Sequence, residues 1–449
     1  MSPFGIFLTL LFCSGVIGLS PRYAALAYFG SVLYITQGQS VDIAGINFVA
    51  IRFVEVAVLL RVIAKKELSV HRCSTTGRWL VLFFVVFEIL LISRTGEMDM
   101  YGFGNAIDGC IAYFTFRALL SNPEDLIAFL KGSVALLFPL SLCMMVESAT
   151  GRNLFSLMGG VPEVSVFRDG HFRAQAGFRH SIAAGSLGAT FFPLFVSCLL
   201  ISKMRLWAVL GLVSSVLIVV ASRSSGPFLT MVTVICAWAC WLLRNKMAIV
   251  RRGIATFLIA LHLMMKQPVW FIFDRISGII GGDGWHRSNL IDKFILHFDK
   301  WWWMGMAIED TGDWAATKMP WGGVDVTNNY VSVGLGGGFL SLVIFIVLIS
   351  SCFSHLGRAL HFVRQQIAGQ DSRNLEVLLW GLGSAVCGHI VNMTAVVYWD
   401  QFATVWYLHL AIAGSIARYA LNQPLAAQRQ ELQIKEELPF SLPGKIAGT

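Results

Sequence analysis

Apolar runs long enough to cross a bilayer recur along almost the whole of this chain, and they dictate its architecture. A helical crossing needs roughly 20 predominantly apolar residues. Candidate runs fall near 4–20, 22–36, 43–64, 79–94, 106–121, 125–147, 180–202, 206–222, 226–243, 253–267, 329–351, 376–398 and 401–419. The first two are short and read either as two elements or as one broken element. Backbone polar groups in lipid must be paired within their own segment, so such spans are helices. Charged residues are 13% of the 449 and hydrophobic ones 56%, whereas a soluble domain carries about 25% charge. The expected fold class is all-α: a polytopic membrane helix bundle of about 12 (11–13) transmembrane helices with one large external loop.

Orientation follows from basic residues, which favour the cytoplasmic side in short loops. The basic segments are Arg61–Lys65–Lys66–Arg72–Arg78, Lys203–Arg205, Arg244–Lys246–Arg251–Arg252 and Arg358–Arg364–Arg373. Alternate threading through the spans puts all four on one face, together with the tail after Arg418. The other face receives 95–105, 148–179, the SRSSGP turn at 222–227, the loop 266–328 and the YWDQ turn at 398–401. The net charge of +8 then reflects cytoplasmic anchoring, and nothing points to nucleic acid. Residues 1–422 read as one transmembrane domain with the loop inserted. Residues 423–449, polar with three prolines, read as a cytoplasmic tail with a short helix and a flexible end. The start of the chain lacks a basic n-region and a cleavage site, so the first span is expected to be retained. Most cysteines lie inside spans, Cys73 sits in a basic-side loop, and the two large external loops have none. A disulfide framework is therefore not expected, and no Cys/His spacing suits zinc.

Against this background, residues 266–331 are polar and rich in tryptophan. Loops of this length are functional or disordered, and Trp270, Trp285, Trp301, Trp302, Trp303, Trp314 and Trp321 argue against disorder. Leu290, Phe294, Ile295 and Phe298 recur at helical spacing, which predicts an amphipathic helix lying on the membrane. The triplet Trp301 to Trp303 fits the interfacial aromatic belt better than a platform for sugar stacking. His286 and Arg287 open the helix, where exposed N–H groups and the dipole favour an anion. At the loop's end Asp325, Thr327, Asn328, Asn329 and Tyr330 form a polar cluster, in which Asn328 or Thr327 also suits an N-cap. Gly334, Gly336, Gly337 and Gly338, inside the following span, permit close helix approach.

Two further stretches carry arginines on the face that should be poor in them. FRDGHFRAQAGFRHSIAAGSLGA at 167–189 holds Arg168, Arg173 and Arg179 with His171 and His180. One such arginine reads as snorkelling; three point to recognition of phosphate or carboxylate by bidentate forks. In ASRSSGPFLTM at 221–231, Arg223 is costly unless it faces the bundle interior or an anion. The plainer reading there is a helix start at Gly226–Pro227. Within the spans, Arg52 and Glu55 lie one turn apart and read as an ion pair, or Arg52 marks the outer end of its span. Glu88, Asp108 and Glu147 are too scattered to define a proton relay.

Taken in order, these features resemble the O-antigen ligase and polymerase superfamily of bacterial envelope glycosyltransferases. The match rests on RAQAGFRHSIAAGSLGA before a span, the Ser222–Arg223 turn, Arg287 in RSNLI within a large loop, and the ending VTNNYVSVGLGGG; it covers roughly residues 43–419. The resemblance implies about 12 spans, a bacterial inner (cytoplasmic) membrane location, and a periplasmic loop and active face. It implies a metal-independent, inverting transfer with no cofactor. The donor would be an undecaprenyl-diphosphate-linked oligosaccharide and the acceptor a glycan or lipid hydroxyl. Membrane lipids, a chain-length regulator and a flippase are the other implied partners.

Such a transfer needs cations for the leaving diphosphate and a base for the acceptor proton. Arg223 and Arg287 fall where the family's diphosphate-binding arginines sit. Arg173 and Arg179 extend that cationic funnel, and Asn329 and Tyr330 join the substrate-binding set. The family's ligases carry histidine then asparagine at the loop's end, where this chain has Thr327 then Asn328. Threonine is no base at neutral pH, which turns the expectation from a lipopolysaccharide ligase toward a polymerase of exopolysaccharide, capsule or O-antigen. Asp325, His286 or His180 would supply the base, with Asn328 as the matching motif residue. The competing readings are a transporter or flippase of lipid-linked sugars and a non-catalytic part of a polysaccharide-export complex. Transporters carry inverted repeats and midplane sites; this chain shows no such repeat.

Overall fold

The computed structural model of the protein describes residues 1–43, 46–67, 74–314, 319–320, 322–366 and 370–423. Its helices in chain order begin with α1 (Pro3–Gly18), α2 (Pro21–Tyr34), α3 (Ala50–Ala64), α4 (Thr75–Thr95), α5 (Met100–Leu119) and α6 (Pro123–Thr150). Then come α7 (Ser181–Leu199), α8 (Arg205–Ser222), α9 (Ser225–Ala239), α10 (Met247–Met264), α11 (Ile272–Ile280) and α12 (Gly284–Leu296). The last are α13 (Phe298–Trp301), α14 (Asn329–Gln366), α15 (Gln370–Asn392) and α16 (Asp400–Leu421). Two antiparallel hairpins interrupt them: β1 (Ser40–Ile43) with β2 (Ile46–Val49), and β3 (Phe167–Arg168) with β4 (His171–Phe172). The fold is all-helical, and among the described residues seven helical stretches are long and apolar enough to cross a membrane. Cys73, Trp321 and residues 424–449, including the predicted tail helix, lie outside the described residues.

Exposed apolar residues show which surface meets lipid. On α8, Leu206, Val209, Val213, Val216 and Val220 are all exposed and repeat at helical spacing, a stripe too large for a surface facing water. The bundle centre is α7, 72% buried along its span against 28% for α4. Small residues make this possible. A Cβ at Gly188 would stand 2.6 Å from the Ser215 carbonyl of α8, so only glycine admits α8 this closely.

The segments assigned to opposite faces do gather at opposite ends. At one end, Arg173 reaches Ser224, Arg287 reaches Ser225, and Arg179 and Tyr101 both reach Asp400. At the other, Arg244 and Arg364 share Glu376. Also at that end, the Arg61 guanidinium donates to the carbonyls of Val16 and Leu19 at 2.6 Å each. Arg61 thereby closes α1 and fixes the α1–α2 turn, where Pro21 opens the second helix. The first two runs are therefore separate antiparallel helices.

Several expectations need correction. The run 43–64 starts as the β1–β2 hairpin, and its helix begins only at Ala50. Arg52 pairs with Asp108 at 2.9 Å, not with Glu55, which accepts from the Tyr28 hydroxyl at 3.0 Å. The run 376–398 is helical only to Asn392. Helix α14 breaks at Gly337 and Gly338, the latter at φ 69°, a left-handed conformation suited to glycine. The break frees the Leu335 carbonyl, which accepts from Arg94 at 2.7 Å and from the Met306 amide at 2.9 Å.

The continuous helical stretch Ser225–Met264 does not run straight. At 1.5 Å per residue its 40 residues would span about 60 Å. Yet Ser225 touches Arg287, Ser288 bonds the Trp270 carbonyl, and the Val269 amide bonds His262 near the stretch's far end. The chain therefore reverses at 240–246, beside Glu376, and α10 returns to the starting end with no buried residue of its own.

The loop after α10 folds around its own small core. Leu290, Phe294, Trp301, Trp314, Val324, Val331 and Leu335 are buried together. Trp301 stacks on Phe294 at 3.9 Å and donates its indole N–H to the Phe294 carbonyl at 2.7 Å. This overturns the anchoring role for Trp301, although Trp302 and Trp303 are exposed. The predicted amphipathic helix is α12, which ends at Leu296. It turns Leu290 and Phe294 into the loop core and leaves Ile295 and Phe298 outside.

Candidate functional site: arginines at a helix N-terminus

The site is assembled from three loops around the first turn of α9. Its first arm is the β3–β4 hairpin. Asp169 and Gly170 take φ 52° and 78°, the left-handed pair that a two-residue hairpin turn requires. This tight turn sets Arg168 opposite His171 and brings Arg173 out beyond β4. The base of the arm is held by Glu147 at the end of α6, which is 1% exposed. Its carboxylate accepts from the Ser165 hydroxyl at 2.7 Å and from the amides of Gln175 and Ala176 at 2.9 Å each. Beside it, the Ala174 amide bonds the Ala221 carbonyl of α8 at 3.1 Å, which joins the hairpin to the turn between α8 and α9.

That turn contains Arg223, at φ 45° and ψ 41°. Left-handed geometry is uncommon for residues with a Cβ, and held strain of this kind clusters at functional sites. Arg223 is exposed; its amide bonds the Val220 carbonyl at 3.2 Å, and its side chain forms no hydrogen bond or ion pair among the described residues. Ser224 stands at the N-cap position of α9 without a side-chain cap bond, its hydroxyl donating to the Ser222 carbonyl, and Gly226–Pro227 form the first turn. Free N–H groups and the helix dipole thus point outward here. Arg173 donates to Ser224 Oγ at 2.7 Å, and Arg287 from α12 lies 3.5 Å from Ser225 Oγ.

Positive charge is concentrated here, offset in part by Asp169, 3.6 Å from Arg168, and by Asp283 near Arg287. Burial, then Arg168 and Arg287, lower the Arg173 guanidinium below its usual range. Burial also lowers Arg287, partly offset by Asp283. Arg173 Nε is buried with no acceptor. Unpaired buried donors are costly, so the cluster is poised for an anion.

His286 precedes Arg287, and its Nε2 lies 2.7 Å from the Asp325 carbonyl oxygen. A carbonyl only accepts, so Nε2 carries a proton, and in the neutral ring the lone pair sits on Nδ1. Asp325 thus orients His286 through its main chain, while its own carboxylate is exposed. His180, at the start of α7, is lowered by burial first and by Arg179 and Arg173, against Asp400 and Asp325. It therefore stays neutral at physiological pH.

Other nominated residues are engaged elsewhere. Asn328 Oδ1 accepts from the amides of Tyr330 and Val331 at 2.9 and 3.2 Å, which is N-capping of α14. Asn329 Oδ1 accepts from the Tyr398 amide at 2.9 Å, and the Tyr330 hydroxyl donates to the Ile390 carbonyl at 3.1 Å. These bonds dock the start of α14 on the 390–398 segment. Thr327 Oγ1 is buried with no partner. Arg179 pairs with Asp400 at 3.4 Å, beside Trp399. Arg173 and Arg287 therefore converge on Ser224 and Ser225, with Arg223 next to Ser224 in the chain and His286 adjacent to Arg287. Arg168 joins them and was visible in the sequence only as one of three basic residues. The Asp169–Gly170 dipeptide was the signal that could have singled it out. No protein-family model matches this chain, and no curated protein matches it.

Proposed function

We propose that this protein is a membrane glycosyltransferase that transfers or polymerises glycan units carried on undecaprenyl diphosphate, at the periplasmic face of the bacterial inner membrane. The observation that carries this reading is the meeting of Arg173 and Arg287 at Ser224 and Ser225 on the α9 N-terminus, with Arg168 nearby, Arg223 in the adjoining turn and Arg173 Nε lacking an acceptor. One phosphate does not match so much charge; a diphosphate does. On this reading the donor's diphosphate lies across the arginines with its sugar toward His286. The acceptor hydroxyl attacks the anomeric carbon as the bond to the phosphate oxygen breaks. Its proton passes to His286 Nδ1, and the lipid diphosphate leaves with the bonding electrons, stabilised by the guanidinium groups and the helix dipole. Thirteen helices, α1 to α10 and α14 to α16, would make the crossings, with the N-terminus on the active side.

Two measurements test this reading. Purified enzyme with lipid-linked repeat units should lose about 100-fold in kcat on His286→Gln, with donor KM unchanged; an unaffected kcat would remove His286 as the base. For topology, Trp303 is exposed, unlike the buried Trp314, and makes the better probe. A cysteine at 303 is expected to react with an impermeant maleimide from the periplasmic side, and labelling only from the cytoplasm would invert the orientation.

A further inference from the structure

A cavity of about 980 Å³ opens at the same end of the bundle but differs in character from the arginine site. It lies between α3, α4, α5, the first half of α14 and α16, and none of Arg168, Arg173, Arg223 or Arg287 lines it. Carboxylates outnumber cations in its lining, so it repels the anion that the arginine site attracts. Its volume stands at the upper end of the range for ligand pockets. Aromatic residues including Tyr101, Trp399 and Trp406 contribute flat faces.

The decisive atoms are two acceptors that have no donor. The Gln401 side chain is 3% exposed, and its Nε2 donates to the carbonyls of Val32 and Ile35 at 2.8 Å each. That fixes the amide orientation, because a flipped amide would set oxygen against two carbonyls. Oε1 must then face away from α2, and it has no partner. Glu88, 8% exposed, likewise has Oε2 unpartnered. Both residues line the cavity. Buried acceptors without donors are costly, so the matching ligand brings hydrogen-bond donors, has apolar faces for aromatic rings, and carries no phosphate.

We infer that this cavity is a saccharide site, taking the hydroxyl-rich, phosphate-free glycan acceptor. The polyol chemistry stands on the cavity itself; the word acceptor rests on the transferase reading above. Asp400 connects the two regions, because it lines the cavity and also pairs with Arg179 of the segment that carries Arg173.

The test uses the full-length protein in nanodiscs and two calorimetric probes. One is the oligosaccharide repeat released by mild acid from the cell's own surface polysaccharide; the other is inorganic pyrophosphate. Glu88→Met and Gln401→Met are each expected to weaken oligosaccharide binding at least tenfold and to leave pyrophosphate binding intact, which also shows that the variants are folded. Arg287→Ala is expected to do the reverse. Oligosaccharide affinity unchanged in both cavity variants, or lost in Arg287→Ala, overturns the cavity assignment. Failure of pyrophosphate to bind the wild type would instead sink the transferase reading and leave the saccharide site standing.

Discussion

Replacing Arg287 with alanine is expected to lower transfer of lipid-linked glycan by about 100- to 1,000-fold, the scale of losing one preorganised group that stabilises charge in the transition state. Arg287 is the member of the cluster supplied by the large loop, and it reaches the α9 N-terminus through Ser225. Its removal takes away positive charge and the contact that holds α12 to α9. Arg223 offers a cleaner companion, because its left-handed backbone is strained for any residue with a Cβ. Arg223→Gly removes the guanidinium while relieving that strain. Activity should fall as in Arg287→Ala, while the melting temperature in detergent holds or rises. Normal polymer length and yield in cells carrying either variant would eliminate the diphosphate role.

Glu147→Ala is expected to cost about 3 kcal/mol of stability, because it leaves the donors of Ser165, Gln175 and Ala176 buried without an acceptor. The melting temperature would report that loss. Donor KM should rise at least tenfold as well, since the released segment carries Arg168 and Arg173. Glu147→Gln keeps one acceptor oxygen and should lie between the alanine variant and wild type. A melting temperature unchanged in Glu147→Ala would show that the carboxylate does not hold the arginine arm.

Much of the frame was legible because apolar runs and basic loops report directly on the bilayer. The five segments assigned to one face meet at one end, as the ties of Arg173, Arg287, Arg179 and Tyr101 show. The site was legible in part. Arg173, Arg223 and Arg287 stood out because they fall on the face opposite the basic short loops, where arginine is expected to be rare. Asn328, Asn329 and Tyr330 stood out for the same polar character, yet their side chains are engaged in capping and docking α14. The composition of a polar cluster does not reveal which hydrogen bonds it makes. Trp301 shows the same limit, since an interfacial tryptophan and a buried one look alike until their neighbours are known.

The sequence alone therefore determined a helical bundle with membrane-spanning character, its two ends and the surplus of arginines at one of them. These depend on the solvent that each stretch requires, which is a property of the stretch itself. Only the tertiary structure decided that Glu147 clamps the arginine arm and that Gln401, tied to α2, lines a separate cavity. It alone decided that Asp108, not Glu55, neutralises Arg52. Each of these choices pairs groups far apart in the chain, and what selects the partner is the packing of helices that brings them within bonding distance.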